Sequence, residues 1–123
     1  MGVIDSILNS LGLNDKNDQE IGSLEGDAIT WKPRSLQRGS KIQINYQGLL
    51  KNCGAHEVFL HYGFDNWSRD VNTVRMERSD GGEFIKDIQI EGDQEINFCF
   101  KDALDNWDNN SGRNYTLPLK DTY

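Results

Sequence analysis

Two tryptophans stand where the chain should be turning through solvent. Trp67 closes the run His61-Tyr62-Gly63-Phe64-Asp65-Asn66-Trp67. Trp107 lies in Asp105-Asn106-Trp107-Asp108-Asn109-Asn110-Ser111-Gly112. An indole is costly to leave in water and normally belongs to a core. Asp, Asn and Gly at these densities instead mark surface turns. A flat aromatic face beside amides and carboxylates is suited to a sugar. The ring takes the apolar C–H face of a pyranose, and the polar groups take its hydroxyls.

Three further residues could share that work. His61 follows Leu60 and precedes Tyr62, which alternation turns inward, so His61 points outward near the Trp67 loop. Its ring offers both a hydrogen bond and stacking area. Asn109 and Asn110 can each donate and accept at once towards a hydroxyl. Asparagines in such a tract also bond their own backbone and tolerate left-handed geometry. A turn role is therefore expected for Asp108 and at least one of the two asparagines. The third tryptophan, Trp31, precedes Pro33 in a short strand pattern and is expected in the core or at a sheet edge.

Other chemistries find little support. The acidic tract 102–110 resembles a calcium loop only in part. Asn106, Asp108 and Asn110 match the first alternating ligands. Ser111 then replaces the turn glycine and Leu117 the bidentate glutamate, so no metal is expected. Two cysteines (Cys53 and Cys99) and two histidines (His56 and His61) are too scattered for a metal motif, and two reduced thiols are expected. No triad signature or phosphate loop is present, so no catalytic residue and no cofactor is expected. Twenty acidic residues guarantee some close carboxylate pairs, but nothing marks a particular pair as a glycosidase's.

Bulk properties bound the partners. The chain has 123 residues, a single domain by size, with 10% aromatic residues and a formal net charge of -7. That charge disfavours nucleic acid and anionic membranes. No run approaches the roughly 20 apolar residues of a membrane span. No basic, then apolar, leader opens the sequence, so a cytoplasmic location is expected.

The elements that must position these side chains follow from periodicity. Val3, Ile4, Ile7, Leu8 and Leu11 share one helical face, and a polar linker follows over 14–20. From about Asp27 the period becomes two. Strands are expected near 28–31, 40–46, 58–62, 73–77, 84–90, 96–100 and 115–119. Pro118 marks the last of them as an edge. About seven strands with Gly-, Asp- and Asn-rich turns predict an all-β fold, an antiparallel immunoglobulin-like β-sandwich with a short N-terminal helix. The expected division is a helix and linker over 1–22 and a module over 23–123.

Several segments in order carry a family resemblance. They are Val58-Phe59-Leu60-His61-Tyr62-Gly63, Asn66-Trp67, Val74-Arg75-Met76, Ile96-Asn97-Phe98-Cys99-Phe100-Lys101-Asp102, Asn106-Trp107-Asp108-Asn109-Asn110 and Asn114-Tyr115. Together they resemble the family 25 carbohydrate-binding modules and, more loosely, the related family 53 modules. The likeness runs from about Ser23 to Leu119. It implies a non-catalytic β-sandwich that binds α-1,4-glucan, such as starch, glycogen or maltooligosaccharides. The binding roles it implies fall on Trp67, Trp107 and His61. With no leader, the expected polymer is an intracellular storage glucan. The face formed by Val3, Ile4, Ile7, Leu8 and Leu11, outside the resemblance, is expected to self-associate or dock a partner. The competing expectation is a β-sandwich that binds a protein through the same tryptophans.

Overall fold

The computed structural model describes residues 20–24 and 26–120. The amphipathic helix expected over 3–11, and the linker as far as residue 19, lie outside the described residues. The strands are β1 (Gly22–Leu24), β2 (Ile29–Lys32), β3 (Lys41–Tyr46), β4 (Val58–Phe64), β5 (Arg69–Arg75), β6 (Glu77–Arg78), β7 (Phe84–Gln89), β8 (Glu95–Asp102), β9 (Trp107–Asp108) and β10 (Tyr115–Pro118). One helical turn, α1 (Leu49–Asn52), follows β3.

Two antiparallel sheets share one core. The first runs β1-β2-β3-β7-β6. The second runs β10-β8-β4-β5, with β9 also paired to β8. Period-two alternation does the sorting. Ile42, Ile44 and Tyr46 from β3 meet Val58, Leu60 and Phe64 from β4 and Ile96, Phe98 and Phe100 from β8 in a single cluster. Trp31 joins this cluster and its indole N–H points to the Arg34 carbonyl at 3.4 Å.

The expected strands are present, and the differences concern short elements. The described residues hold ten strands rather than about seven. The additions are β1, β6 and β9, two or three residues each, too short to display a period. The strand expected over 73–77 is split. Arg75 ends β5 in the second sheet, and Glu77 begins β6 in the first. Between them Met76 is 3% exposed, and its N–H donates to the Val58 carbonyl. Pro118 lies on the edge strand β10 as expected.

The free edge of β8 is shared between two short strands. β10 pairs with 95–98, and β9 pairs with Phe100 and Lys101. The tract 109–114 is the excursion between them. Its Asn110, Ser111 and Asn114 adopt φ values of 56°, 56° and 60°. The adjacent Asp108 clips this edge to the core. Its carboxylate accepts hydrogen bonds from the Tyr46 hydroxyl, which rises from β3 of the opposite sheet, and from the Tyr115 hydroxyl at 2.8 Å. The Tyr46 oxygen in turn accepts the Leu50 N–H of α1 at 3.0 Å. Burial, and then the bond to Asp108, push the Tyr46 phenol well above its usual value. Hydrogen bonds to an ionised group are the strong ones. Asp108→Ala is expected to lower unfolding stability by about 3 kcal/mol, and Tyr115→Phe by about half of that. Urea unfolding monitored by circular dichroism measures both.

Candidate glycan-binding face

The register of the second sheet brings together residues far apart in sequence. β4 pairs with β8 without interruption from Val58↔Asp102 to Phe64↔Ile96, placing His61 beside Cys99, Phe59 beside Lys101 and Gly63 beside Asn97. On the other side β5 places Thr73 beside His61 and Arg75 beside Phe59. β9 sets Trp107 against Lys101. Since Leu60, Phe98 and Phe100 fill the core, these neighbours form the outer face of the sheet.

On that face three aromatic rings converge. His61 stacks on Trp67 with centroids 5.2 Å apart and planes 22° apart. It meets Trp107 at 5.8 Å and 84°, edge to face. One tryptophan lies nearly parallel to the imidazole and the other nearly perpendicular, so the two indoles are steeply inclined to each other. Trp107 is 44% exposed and Trp67 half-buried. The outward placement of His61 beside Trp67 agrees with the sequence reading, and its edge contact with Trp107 is an addition from the structure.

Trp67 is held by an unusual turn. Asp65, Asn66 and Trp67 have φ values of 54°, 62° and 63°. Three successive left-handed residues without a glycine cost on the order of 1–2 kcal/mol each, and a bulky side chain there is uncommon. Such geometry persists only where the surroundings impose it. Here the Asp65 carboxylate accepts the N–H groups of Asp93, Gln94 and Glu95, at 2.7 Å from Gln94. The Trp67 N–H donates to the Asn97 side-chain oxygen at 3.1 Å. Asn97 is 3% exposed, and its amide N–H groups go to Glu95 and Thr116. Burial alone would raise the Asp65 pKa. The three backbone donors and Arg69 outweigh it and hold the carboxyl below the usual range.

Gly63 completes the seat. A Cβ there would lie 2.9 Å from Val71 Cγ2 and 3.1 Å from Trp67 Cε3. Only the missing side chain lets the indole settle back towards His61.

The electrostatics favour a neutral ligand. Lys101 Nζ lies 5.5 Å from the Phe59 centroid and 5.8 Å from that of Trp107, and it pairs with Asp105 at 2.9 Å. Partial burial, then the Lys101 charge, lower the His61 pKa below 6.5. The imidazole is therefore neutral at pH 7. Its Nδ1 lies 2.7 Å from Thr73 Oγ1, and Nε2 has no hydrogen-bond partner among the described residues. Cys99 is buried beside this cluster, and its thiol is pushed up to about 11 by burial and then by Asp108. Neither it nor the exposed Cys53 forms a disulfide. Among the described residues no group of three or more His, Cys, Asp or Glu side chains could hold a metal ion.

The asparagine pair serves its own loop at one end of each amide. Asn109 Oδ1 accepts the Gly112 N–H at 3.0 Å, and Asn110 Nδ2 donates to the Asn114 carbonyl at 2.9 Å. Asn109 Nδ2 and Asn110 Oδ1 have no partner among the described residues. Periodicity did not single out Gly63, Asn97 and Lys101. Their outward positions were readable in the strand patterns, but their neighbours depend on register.

Residues 42–98 match the starch/carbohydrate-binding module family 53. This is the looser of the two resemblances read from the sequence. The matched stretch contains His61, Gly63, Trp67 and Asn97, and stops before Trp107. An α-amylase of Clostridium acetobutylicum is 31% identical over 93 residues, covering 75% of this chain and 12% of that protein. The chain thus spans about an eighth of the relative's length. No solved structure gives a significant match. The likenesses support carbohydrate binding.

Two measurements check the construction of this face. Gly63→Ala is expected to displace the Trp67 indole, changing the near-ultraviolet circular dichroism and costing about 1–3 kcal/mol. In an NMR titration the His61 imidazole is expected to titrate below 6.5, and Lys101→Met to move it upward. The sign for stability follows. Folding favours neutral His61, so this contribution is complete above pH 6.5 and is lost as pH falls through the folded pKa.

Proposed function

We propose that the chain is a non-catalytic β-sandwich module that binds α-1,4-glucan on the outer face of the β4–β8 sheet. The observation that carries this reading is the convergence of His61, Trp67 and Trp107 into one accessible aromatic cluster. The family 53 match over the core of the chain supports the ligand class.

The steep angle between the indoles is the relevant geometry. A flat ribbon of sugar rings needs coplanar platforms. An α-1,4-linked chain curves, so successive pyranose faces turn relative to one another. One glucosyl unit stacks on the face of Trp67 turned away from His61, and a neighbour stacks on Trp107. His61 Nε2, Asn109 Nδ2 and Asn110 Oδ1 supply hydrogen bonds to hydroxyls. The neutrality of His61 and the pairing of Lys101 with Asp105 leave little net charge to be desolvated by an uncharged polymer.

Magnitudes are consistent with weak, reversible attachment. Each stacked ring contributes on the order of 1–3 kcal/mol, by analogy with base–aromatic stacking. A few hydrogen bonds add about 0.5–1.5 kcal/mol each. The total corresponds to a Kd between about 1 mM and 1 μM. Retention on a polymer then comes from many sites on one chain.

Calorimetry with maltoheptaose tests the assignment. Trp67→Ala and Trp107→Ala are each expected to weaken binding by about tenfold or more. Undiminished affinity in both variants would exclude this face. In a native gel cast with amylopectin the parent is expected to be retarded. Unretarded migration favours a protein-binding role for the same tryptophans.

A further inference from the structure

Beyond the aromatic cluster lies a groove of about 790 Å³ that shares only Trp107 with it. Phe59, His61, Trp67 and Lys101 do not border it. It is formed by α1, the segment 53–57 leading into β4, and the turn 102–106 leading into β9. Its apolar wall includes Leu49, Leu104 and Trp107, and its polar border includes His56, Glu57 and Asn106. Leu49 is 56% exposed and Leu104 83% exposed, although both are aliphatic. The volume falls within the roughly 300–1,000 Å³ range of ligand clefts.

We infer that this groove is a continuation of the glucan site, taking the glucosyl units that follow the one stacked on Trp107. The inference rests on the glucan reading given above. Three observations support this occupant. The groove is continuous with the aromatic cluster through the indole they share. The inclination of that indole turns a bound chain away from the plane of Trp67. The lining also matches a neutral polyol. Glu57 and Asp102 border the groove and, among the described residues, no lysine or arginine does, which disfavours an anion. Asp102 accepts the Leu104 and Asn106 N–H groups, and Glu57 pairs with Arg75. A wholly apolar ligand would strip water from their remaining lone pairs without replacing its hydrogen bonds. A pyranose offers C–H faces to the leucines and hydroxyls to the polar border.

Cys53 provides a way to fill the groove without disturbing the cluster. It lines the groove and is exposed, whereas the Cys99 thiol is buried with its pKa raised. A bulky maleimide therefore reacts at Cys53. Affinities for maltotriose and maltoheptaose are measured by calorimetry on unlabelled protein, on labelled protein and on reagent-treated Cys53→Ser. In unlabelled protein maltoheptaose is expected to exceed maltotriose by more than the roughly fivefold that additional binding registers supply. Labelling is expected to reduce the gain to that level with maltotriose affinity unchanged, while treated Cys53→Ser keeps the full gain. Leu104→Asp, at an exposed position, is expected to lower the gain in the same direction.

A labelled protein that keeps the full gain overturns the inference while leaving the reading of the cluster intact. So does an unlabelled protein with no gain beyond the register effect. If unlabelled protein sediments as a dimer and labelling dissociates it, the groove is an interface between copies and the inference fails. If the unlabelled protein binds neither sugar, both readings fall together.

Discussion

The uninterrupted pairing of β4 with β8 is the constraint on which the rest of the molecule depends. It fixes two surfaces at once. Inward, Leu60, Phe64, Phe98 and Phe100 fill the core. Outward, the same register lines up Phe59 with Lys101, His61 with Cys99 and Gly63 with Asn97. A slip of β4 by one residue would drive His61 into the core, a slip of β8 would drive Lys101 there, and either would bring core aromatics out. The burial of the inner face therefore stabilises the geometry of the outer one. The site needs no separate device to set its spacing along the strands.

What the register does not set, the connections add. Trp67 comes from a left-handed turn that Asp65 and Asn97 hold from two sides, and Trp107 comes from an edge strand anchored through Asp108 to Tyr46 and Tyr115. Each indole is thus displayed by a polar clip tied to buried or half-buried groups. This arrangement explains why these aromatic side chains remain on the outer face and do not join the core. It also gives the acidic and amide residues around each tryptophan a definite task, the support of strained or irregular backbone. Asn109 and Asn110 each commit one amide atom to the loop, and the other has no partner among the described residues. The turn role expected of this tract and its proposed sugar contact are thus compatible.

The inner faces were legible in the sequence because Ile42, Ile44, Tyr46 and Ile96, Phe98, Phe100 repeat at a period of two over long enough runs. β6 and β9 were not legible, since two residues carry no period, nor was α1, a single turn. The crossing at Met76 reads as continuous strand because both sheets want the same alternation. Asn97 and Cys99 alternate as outward residues yet are buried, since the Trp67 loop bonds to one and the other sits beside the stacked rings. Such burial is a tertiary fact. His61, Trp67 and Trp107 could be named from residue type and neighbourhood. The steep angle between the indoles, on which the proposed preference for a curved chain rests, appears only once the turn and the edge strand are built.

In the proposed site Trp67 and Trp107, and not the third tryptophan, meet the glucan. The chain has three tryptophans, so its indole N–H signals form three resolvable reporters in a nitrogen–proton correlation spectrum. Trp31 serves as the internal control, being core-packed with its N–H directed at Arg34. Titration with maltotetraose is predicted to shift the Trp67 and Trp107 signals along saturating curves with one shared Kd while leaving Trp31 in place. Unmoved Trp67 and Trp107 signals at saturating sugar, or a shift confined to Trp31, would exclude this site.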